Sequence, residues 1–377
     1  MEKVAIIGTV GVPARYGGFE TLTHQLILKL QKQMDITVYC SGKIYKKEER
    51  LKEWNGARLL YLPLNANGPQ SILYDVIGMI HALFFAETLL VLGVAGALFF
   101  PIIRLFSKKH IVVNIDGLEW KRNKWSSPVR RFLKFSEKIA VRFAHVVVTD
   151  NAAIQRYVRE EYNIQSELIE YGADHVSFQP LMKKYFINYP FLKKNYAFNV
   201  CRIEPENNIH LILEAFSFIP AHILVMVGNW DYSEYGKMLR AKYDEYKNII
   251  LLDPIYDQRM IDVLRSNCSV YIHGHSAGGT NPSLVEAMHL GLPVVAFDVN
   301  YNRETTENKA FYFSSSDDLE NIIRMNNIRA FDNCRYNMQE IAKRRYSWSS
   351  ISEKYQNVII EKGEEKVYSI IPEVVMQ

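Results

Sequence analysis

The chain has 377 residues, of which 48% are hydrophobic and 23% charged, so it is long enough for two ordinary globular domains. A formal net charge of +4 is too small to indicate a nucleic-acid partner. The four cysteines include no C-x-x-C pair, so we expect reduced thiols rather than disulfides or a zinc site. The N-terminus leads directly into an apolar run, V-A-I-I-G, and we expect no signal peptide.

The first predicted elements are a buried strand, a glycine-containing loop and a helix. The strand covers Val4 to Gly8, and the helix follows from the spacing of its apolar residues after Phe19. The loop, T-V-G-V-P-A-R-Y-G-G, lacks the G-x-G-x-x-G spacing, which disfavours a nicotinamide dinucleotide site. Gly17 and Gly18 can cradle a phosphate or let a sugar lie against the backbone, but a merely tight turn explains them equally well.

An apolar tract then runs from Ile72 to Phe106. Its longest uncharged part, Thr88 to Ile103, has 16 residues with two glycines and one proline, whereas a spanning helix needs roughly 20 apolar residues. We therefore predict a helix over residues 71–85, a strand over residues 88–92 and a second apolar helix ending near Phe106. Because two lysines follow it, this second helix can still touch a bilayer surface.

The strand predicted over residues 110–115 ends in D-G-L-E-W-K-R. Parallel α/β proteins carry their chemistry at the carboxyl ends of strands, so Asp116 and Glu119 are candidate site residues. A basic amphipathic segment follows, P-V-R-R-F-L-K-F-S-E-K-I-A-V-R-F, within a stretch of eight Lys or Arg against two Glu. Such a helix suits an anionic membrane surface, although a solvated helix face packed on a sheet has the same pattern.

Strands and helices keep alternating to the C-terminus, which predicts two parallel-sheet domains facing each other. The polar segment Y-G-A-D-H-V-S-F-Q-P is the expected crossover between them. We therefore expect a first domain over residues 1–178, a second over 179–346, and a segment over 347–377. The helix predicted in that last segment, Trp348 to Ile360, is long enough to cross back to the first domain.

The stretch from Tyr271 to Phe297 reads as strand, glycine-rich loop, short helix, turn and strand. Thr280 or Asn281 can cap the helix, and a proline suits its first turn. Gly278 and Gly279 let the backbone approach a ligand, so their amides and the positive end of the helix form a seat for phosphate.

The rest of this predicted site comes from residues near that seat. Glu286 lies one helical turn beyond the helix start and suits hydrogen bonds from sugar hydroxyls, although a solvated carboxylate in an ordinary turn is the alternative. Arg202 follows a strand end, where a guanidinium can neutralise a leaving diphosphate. No metal triplet is evident, so we expect no metal, and one of His273 and His275 is expected to be structural or to contact sugar.

These features resemble the GT-B glycosyltransferases, and specifically the retaining glycosyltransferase family 4. The marks are R-I-E-P-E-N, Y-G-A-D, P-S-L-V-E-A-M-x-x-G-L-P-V-V and the closing R-Y-S-W-S-S-I-S-E-K-Y. The N-terminal I-I-G-T-V-G-V-P-A-R-Y-G-G-F-E-T, together with D-G-L-E-W-K-R and H-G-H-S-A-G-G-T-N-P-S, resembles the bacterial rhamnosyltransferases of capsule and cell-wall polysaccharide synthesis.

This resemblance implies two facing Rossmann-like domains and a C-terminal helix that returns to the first. It also implies transfer of L-rhamnose from a dTDP-rhamnose donor to a polyprenyl-diphosphate-linked saccharide. The enzyme would be cytoplasmic and peripheral on the inner face of the membrane.

By the same resemblance, Glu286 matches the ribose-binding second glutamate of an E-x7-E motif, and Arg202 matches a phosphate-binding arginine. Asp116 takes a strand-end position where many relatives have histidine, and Gly17 and Gly18 match a loop near the donor diphosphate. The expected donor site is completed by Asn207, Gly278, Gly279, Thr280, Asn281 and Ser283. The expected acceptor contacts are Arg15, Tyr16, Asp116 and Glu119.

Two positions depart from the family pattern. Gly278 replaces the first glutamate of E-x7-E, which removes a contact to the sugar, and Asn207 replaces the usual lysine. The alternatives are a UDP-glucose or UDP-N-acetylglucosamine enzyme of the same fold and a non-catalytic lipid- or sugar-binding scaffold. A dinucleotide oxidoreductase is disfavoured by its absent fingerprint.

Overall fold

The computed structural model describes residues 1–14, 17–122, 125–325 and 327–361. The chain divides into two compact units. Among the described residues, unit 1 comprises the chain up to Tyr171 together with residues 348–361, and unit 2 comprises the chain from Gly172 to Ser347. Each unit is built on a parallel sheet with helices, which confirms the predicted α/β architecture of two Rossmann-like domains.

Unit 1 contains an eight-stranded sheet in the order β3-β4-β2-β1-β5-β6-β7-β8. Among the strand pairings of the described residues, only the short pairing of β3 with β4 is antiparallel. Its strands are β1 (Glu2–Ile7), β2 (Met34–Ser41), β3 (Glu53–Trp54), β4 (Ala57–Leu62), β5 (Thr88–Leu92), β6 (His110–Asn114), β7 (Val146–Thr149) and β8 (Glu167–Leu168). Every residue of β5 and of β6 is buried, because helices cover both faces of a parallel sheet.

The helices of unit 1 before the crossover connect these strands. They are α1 (Gly18–Leu30), α2 (Ser71–Ala82), α3 (Phe100–Phe106), α4 (Ser127–Phe143) and α5 (Ala152–Tyr162). The apolar tract from Ile72 to Phe106 is therefore a helix, a strand and a second helix, as predicted. Among the described residues, no helix combines the length and apolarity that crossing a membrane requires.

Unit 2 contains a six-stranded parallel sheet in the order β11-β10-β9-β12-β13-β14. Its strands are β9 (Tyr196–Val200), β10 (Ile223–Val227), β11 (Ile249–Leu252), β12 (Val270–His273), β13 (Val294–Phe297) and β14 (Phe311–Phe313). Its helices are α6 (Tyr185–Asn188), α7 (Ile209–Ser217), α8 (Glu234–Tyr243), α9 (Gln258–Ser266), α10 (Pro282–His289), α11 (Asn300–Thr305), α12 (Ser316–Met325) and α13 (Ile328–Arg345).

The final described helix, α14 (Trp348–Ile360), belongs to unit 1, as the sequence predicted. The ring of His110 bonds the carbonyl of Val358 at 2.9 Å, and the amide of Asn114 donates to the hydroxyl of Tyr355 at 2.8 Å. These contacts anchor α14 to β6.

Residues 172–178, which we expected in the first domain, pack in unit 2. The amide of Ala173 donates to the carbonyl of Tyr346 at 2.7 Å, which ties this segment to the end of α13. The polar, punctuated sequence indicated a crossover, but it did not indicate where that long-range hydrogen bond would form.

In each sheet, the order in which successive strands are added reverses its direction beside the first strand of the unit. In unit 1 the reversal lies between β1 and β5, and in unit 2 between β9 and β12. At such a reversal the two loops at the carboxyl ends of neighbouring strands lead to opposite faces and open a crevice, which is where open α/β sheets bind ligands. The loops after β9 and β12 are those that the sequence singled out.

Candidate active site

The N-terminal end of α10 is built as the sequence predicted. Asn281 is the cap: its side-chain oxygen accepts the amide of Ser283 at 3.0 Å and the hydroxyl of Ser283 at 2.8 Å. Pro282 is the first helical residue, where its missing N–H costs nothing. Asn281, Pro282 and Ser283 are all partly exposed. The positive end of this helix therefore reaches solvent.

The glycines before the helix provide further donors. Gly278 has φ +103°, a conformation that side chains rarely adopt. Among the described residues, the amides of Gly278 and Gly279 donate no hydrogen bond. Backbone amides at a helix start with a positive dipole are suited to an anion such as phosphate. Thr280, the alternative cap, is buried.

Two loops of unit 2 are fastened to each other at the reversal of its sheet. The side-chain amide of Asn208 donates to the carbonyl of Gly274 at 2.9 Å, and the amide of Ser276 donates to the carbonyl of Glu206 at 2.9 Å. A Cβ at Gly274 would lie 2.0 Å from the carbonyl oxygen of Asn207, so only glycine allows this approach. The loops after β9 and β12 consequently hold a fixed separation.

The side chain of Asn207 connects these two loops. Its side-chain nitrogen Nδ2 donates to the carbonyl of Arg202 at 2.7 Å, and its side-chain oxygen Oδ1 accepts from Nδ1 of His275, also at 2.7 Å. Asn207 is buried, and both ends of its side chain are used internally. The structure therefore gives Asn207 a role in positioning Arg202, and a direct contact of Asn207 with the donor remains a prediction.

Arg202 itself is exposed to solvent. About half of its side chain is exposed, and its Nε lies 3.8 Å from the carboxylate of Glu204, a weak ion pair. It follows β9 directly, and β9 pairs with β12, which leads to the α10 seat. The guanidinium and the helix start therefore belong to neighbouring loops of one unit.

Glu286 is neither solvated nor free. Its Oε2 lies 2.7 Å from Nη1 of Arg265 on α9, and its Oε1 lies 3.2 Å from Nε2 of His175. Burial raises the pKa of this carboxyl, but the charge of Arg265 and the hydrogen bond from His175 outweigh that effect and hold its pKa below the usual value. Glu286 is thus kept as an anion, which accepts hydrogen bonds but cannot donate them.

Neither Arg265 nor His175 is predicted from the sequence to have a role in the site. Arg265 is buried, and Asp262 lies 3.8 Å from its guanidinium. Its Nε and Nη1 meet no acceptor with hydrogen-bond geometry among the described residues, so its contact with Glu286 is ionic rather than a well-directed hydrogen bond. The one available signal was an arginine in a helix segment, I-D-V-L-R, whose other members are also buried.

The histidines near β12 differ from each other. His273 lies in the strand and burial lowers its pKa to about 3, so this imidazole is neutral. His275 lies past the strand end, bonded to Asn207. Among the described residues there is no group of three His, Cys, Asp or Glu side chains that could hold a metal ion. Independence of a metal remains a prediction.

In unit 1 the predicted loop after β6 is tightly constrained. Asp116 has φ +60°, and its amide donates to the side-chain oxygen of Asn114 at 2.9 Å. A left-handed non-glycine residue at a strand end is a strained conformation that clusters at functional sites. Glu119 is held differently: it pairs with Arg122 at 3.0 Å and accepts from the Trp125 ring at 3.1 Å. Its expected acceptor contact is untested.

The N-terminal glycine loop contains a carboxylate that the sequence did not single out. Oε1 of Glu20 accepts the amide of Val10 at 2.7 Å and the hydroxyl of Thr9 at 3.1 Å. Burial raises the pKa of Glu20, and the charge of Asp116 raises it further. A Cβ at Gly17, which has φ +124°, would lie 1.9 Å from Oε2 of Glu20.

These contacts show why glycine is needed at position 17, beside the first residue of α1, Gly18. Position 17 must be glycine both for its backbone angle and for the space that the Glu20 carboxylate takes. The two other predicted acceptor contacts in this loop, Arg15 and Tyr16, lie outside the described residues.

Comparisons with known proteins agree with this division of the chain. Residues 183–328 match the family model described as glycosyl transferases group 1, and residues 1–174 match a domain of unknown function (DUF1972). Residues 183–328 are thus similar in sequence to the group 1 glycosyl transferases. No curated protein matches the chain.

Several solved structures share the fold. Sucrose-phosphate synthase from Thermosynechococcus elongatus superposes with a TM-score of 0.80 at 17% identity, covering 95% of this chain and 98% of that one. HepE from Anabaena, in complex with UDP and glucose, gives 0.73 at 16% identity, covering 95% and 99%. A glycosyltransferase from Rickettsia africae gives 0.73 at 15% identity, covering 96% and 98%. The architecture is therefore that of the GT-B glycosyltransferases.

Proposed function

We propose that this chain, which carries a group 1 glycosyltransferase domain in a GT-B architecture, is a retaining glycosyltransferase. Its donor is dTDP-L-rhamnose, and its acceptor is a saccharide on a polyprenyl diphosphate in capsule or cell-wall polysaccharide synthesis. The sugar and the carrier come from the resemblance of the N-terminal, D-G-L-E-W-K-R and H-G-H-S-A-G-G-T-N-P-S segments to the rhamnosyltransferases.

The observation that carries the proposal is the pair of neighbouring loops in unit 2. One presents the half-exposed guanidinium of Arg202, and the other presents glycine amides and the capped start of α10. Both are sources of positive charge at the carboxyl end of a parallel sheet, where its winding reverses. That combination suits the diphosphate of a nucleotide sugar.

The chemistry needs little beyond charge stabilisation and orientation. The acceptor oxygen attacks the anomeric carbon on the face that the diphosphate leaves. The bond from that carbon to the diphosphate oxygen breaks, and a phosphate oxygen of the leaving group takes the acceptor proton. Arg202 and the helix amides stabilise the departing negative charge. Glu286 accepts hydrogen bonds from the ribose hydroxyls, and Asp116 orients the acceptor or the sugar.

We also propose that the protein is cytoplasmic and peripheral on the inner membrane face. Helix α3 and the turn before it expose apolar side chains, with 76% of Leu105 and 79% of Phe106 accessible. Exposed Arg104 and Lys108 flank them, and α3 packs against the basic helix α4. Exposed apolar tips among cations suit the interface of an anionic bilayer.

The comparisons favour one alternative donor. HepE was solved with UDP-glucose as well as with UDP and glucose, so a UDP-sugar is the natural competitor to dTDP-rhamnose. Gly278 stands at the position where the family that the sequence resembles has a sugar-contacting glutamate. This position therefore does not indicate which sugar is transferred. The choice of nucleotide and the choice of sugar therefore need separate tests.

A thermal-shift titration with dTDP and UDP at matched concentrations tests the nucleotide. A ligand at 100 times its Kd stabilises the folded state by about 2.7 kcal/mol. We expect dTDP to raise Tm more than UDP, and NAD to leave it unchanged. A larger shift with UDP would favour the UDP-sugar alternative. Membrane binding with no shift from either nucleotide would favour a non-catalytic scaffold.

A further inference from the structure

A groove on unit 1 lies between the start of α4 and the end of α5. It has a volume of about 660 Å³ and includes the ring of Trp120 in its wall. Its charged lining comprises four cations and one carboxylate: Arg130, Arg131, Lys134, Lys138 and Glu161. The groove is therefore strongly electropositive, and its ligand should be an anion.

Two of these cations have no internal partner. Arg131 and Lys138 are exposed, and neither forms an ion pair or a side-chain hydrogen bond among the described residues. They lie seven residues apart on α4 and so share one face of the helix. By contrast, Nε of Arg130 donates to the carbonyl of Trp120 at 2.8 Å, which fastens the loop of residues 119–121 to α4.

Lys134 is fixed in the floor of the groove. Its Nζ lies 2.8 Å from Glu161, 4.5 Å from the centroid of the Trp120 ring and 5.0 Å from that of Tyr162. The Tyr162 hydroxyl in turn donates to Glu137 at 2.6 Å. Because Lys134 is held among aromatic rings, it can meet an anion without a large loss of side-chain entropy.

The groove also carries apolar surface. Phe135, on the same helix, is 54% exposed and lines the groove beside Arg131 and Lys138. The ring of Trp120 lies four residues from Asp116, in the loop that follows β6. An anionic group with an apolar chain matches this combination better than a simple ion, which would gain nothing from the exposed ring.

We propose that this groove binds the phosphate or diphosphate group of a phosphoester that bears an apolar chain. This deepens the proposed function and rests on it, since the acceptor proposed there ends in a polyprenyl diphosphate. The shared chemistry also occurs in the headgroups of anionic phospholipids, so the two sources must be separated experimentally.

The test uses calorimetric titration of the full chain with farnesyl diphosphate, inorganic pyrophosphate and farnesol. We expect farnesyl diphosphate to bind more tightly than pyrophosphate, and farnesol not to bind. In the double variant Arg131→Gln/Lys138→Gln we expect the affinity for farnesyl diphosphate to fall at least tenfold. The matched control, Lys32→Gln/Arg58→Gln, removes the same charges from exposed positions outside the groove and should not change it.

A second variant moves the affinity in the opposite direction. Glu161→Gln removes the carboxylate that competes with an anion for Lys134, and we expect binding of farnesyl diphosphate to tighten several-fold. A purely structural role for Glu161 would not produce that gain. Equal affinities of the parent, the double variant and the control would overturn the proposal.

Vesicles of phosphatidylglycerol separate the two sources. One outcome is that the parent protein binds these vesicles but not farnesyl diphosphate, and that the vesicle binding is lost in the double variant. That result would overturn the carrier assignment and show that the groove binds a bilayer headgroup. Binding of dTDP is measured in every variant and should stay unchanged. If the protein binds farnesyl diphosphate but transfers no sugar, the proposed function is contradicted and the assignment of the groove is still supported.

Discussion

Glu286 and Arg265 form a buried ion pair, with 2.7 Å between Oε2 and Nη1. They lie on different helices of unit 2, and His175 from a third segment contacts the other carboxylate oxygen. The pair fixes both the position and the ionisation of the residue that we expect to bind the nucleotide ribose. We therefore propose that Arg265 is a positioning residue for the donor site.

Loss of Arg265 should be costly. In Arg265→Gln the Glu286 carboxylate stays buried without its main countercharge, and we expect the free energy of unfolding in urea to fall by about 3–5 kcal/mol. The control is Arg240→Gln, which breaks an exposed pair with Asp253 of the same 2.7 Å length. That change should cost under about 1 kcal/mol. Equal costs would mean that the Glu286 pair does not stabilise unit 2.

Asp75 should make stability depend on pH. This carboxyl on α2 is buried, and burial raises its pKa from the usual 3.8 to about 8. A hydrogen bond from the amide of Gly96 lowers the pKa, but by less than burial raises it. Between those values the folded state holds a proton that the unfolded state releases. The free energy of unfolding should therefore fall with rising pH, by about 1.4 kcal/mol per unit from this group alone.

Asp75→Asn isolates that contribution, because the amide keeps the shape of the protonated carboxyl and does not titrate. We expect urea unfolding at pH 5 and pH 7 to show a smaller loss of stability with rising pH in the variant than in the parent. Parallel pH profiles of the two proteins would show that Asp75 is already ionised in the folded state.

Arg202 should matter for transfer and little for folding. Its side chain is half exposed and its Nε lies 3.8 Å from the carboxylate of Glu204, so Arg202→Ala should change stability by less than about 0.5 kcal/mol. Removing a group that stabilises developing charge lowers kcat by about 100-fold or more. Steady-state transfer assays should show that loss, whereas Arg259→Ala, at an exposed position on α9, should not. Activity of Arg202→Ala within a few-fold of the parent would remove its assigned role.

Membrane binding should need both charge and the apolar tip of α3. We expect co-sedimentation with anionic liposomes to weaken as salt is added, because exposed charges are screened over about 8 Å at 0.15 M ionic strength. Leu105→Ser/Phe106→Ser should also weaken it. The control Ile187→Ser alters a residue of unit 2 that is 83% exposed and should have no effect. Equal binding to neutral vesicles would exclude a contribution from the basic helix.

The fold could be predicted closely where its signals are local. Helix α10 begins at the predicted residues, because its cap Asn281 and the proline Pro282 are adjacent in the sequence. The same holds for β5, whose last four residues are all apolar, and for α14, whose buried residues recur at helical spacing. Local chemistry is sufficient to define such elements.

The candidate site could be predicted only in part, because its electrostatics depend on pairs that are distant in sequence. Glu286 was recognised, but its partners His175 and Arg265 are brought to it only by the packing of unit 2. Glu20 was missed for a similar reason, since its burial depends on how the loop after β1 folds back over α1. The sequence predicts a donor contact for Asn207, which stays a prediction, but it does not indicate that the Asn207 side chain holds two loops together.

The most direct test of the account is the mass of the product that the purified protein forms with excess EDTA present. The reaction contains dTDP-rhamnose, competing UDP-sugars and a short-chain polyprenyl-diphosphate saccharide. The account predicts that the acceptor gains one deoxyhexose and that dTDP accumulates in equal amount. No transfer from any nucleotide sugar, or transfer only after a divalent cation is restored, would contradict it.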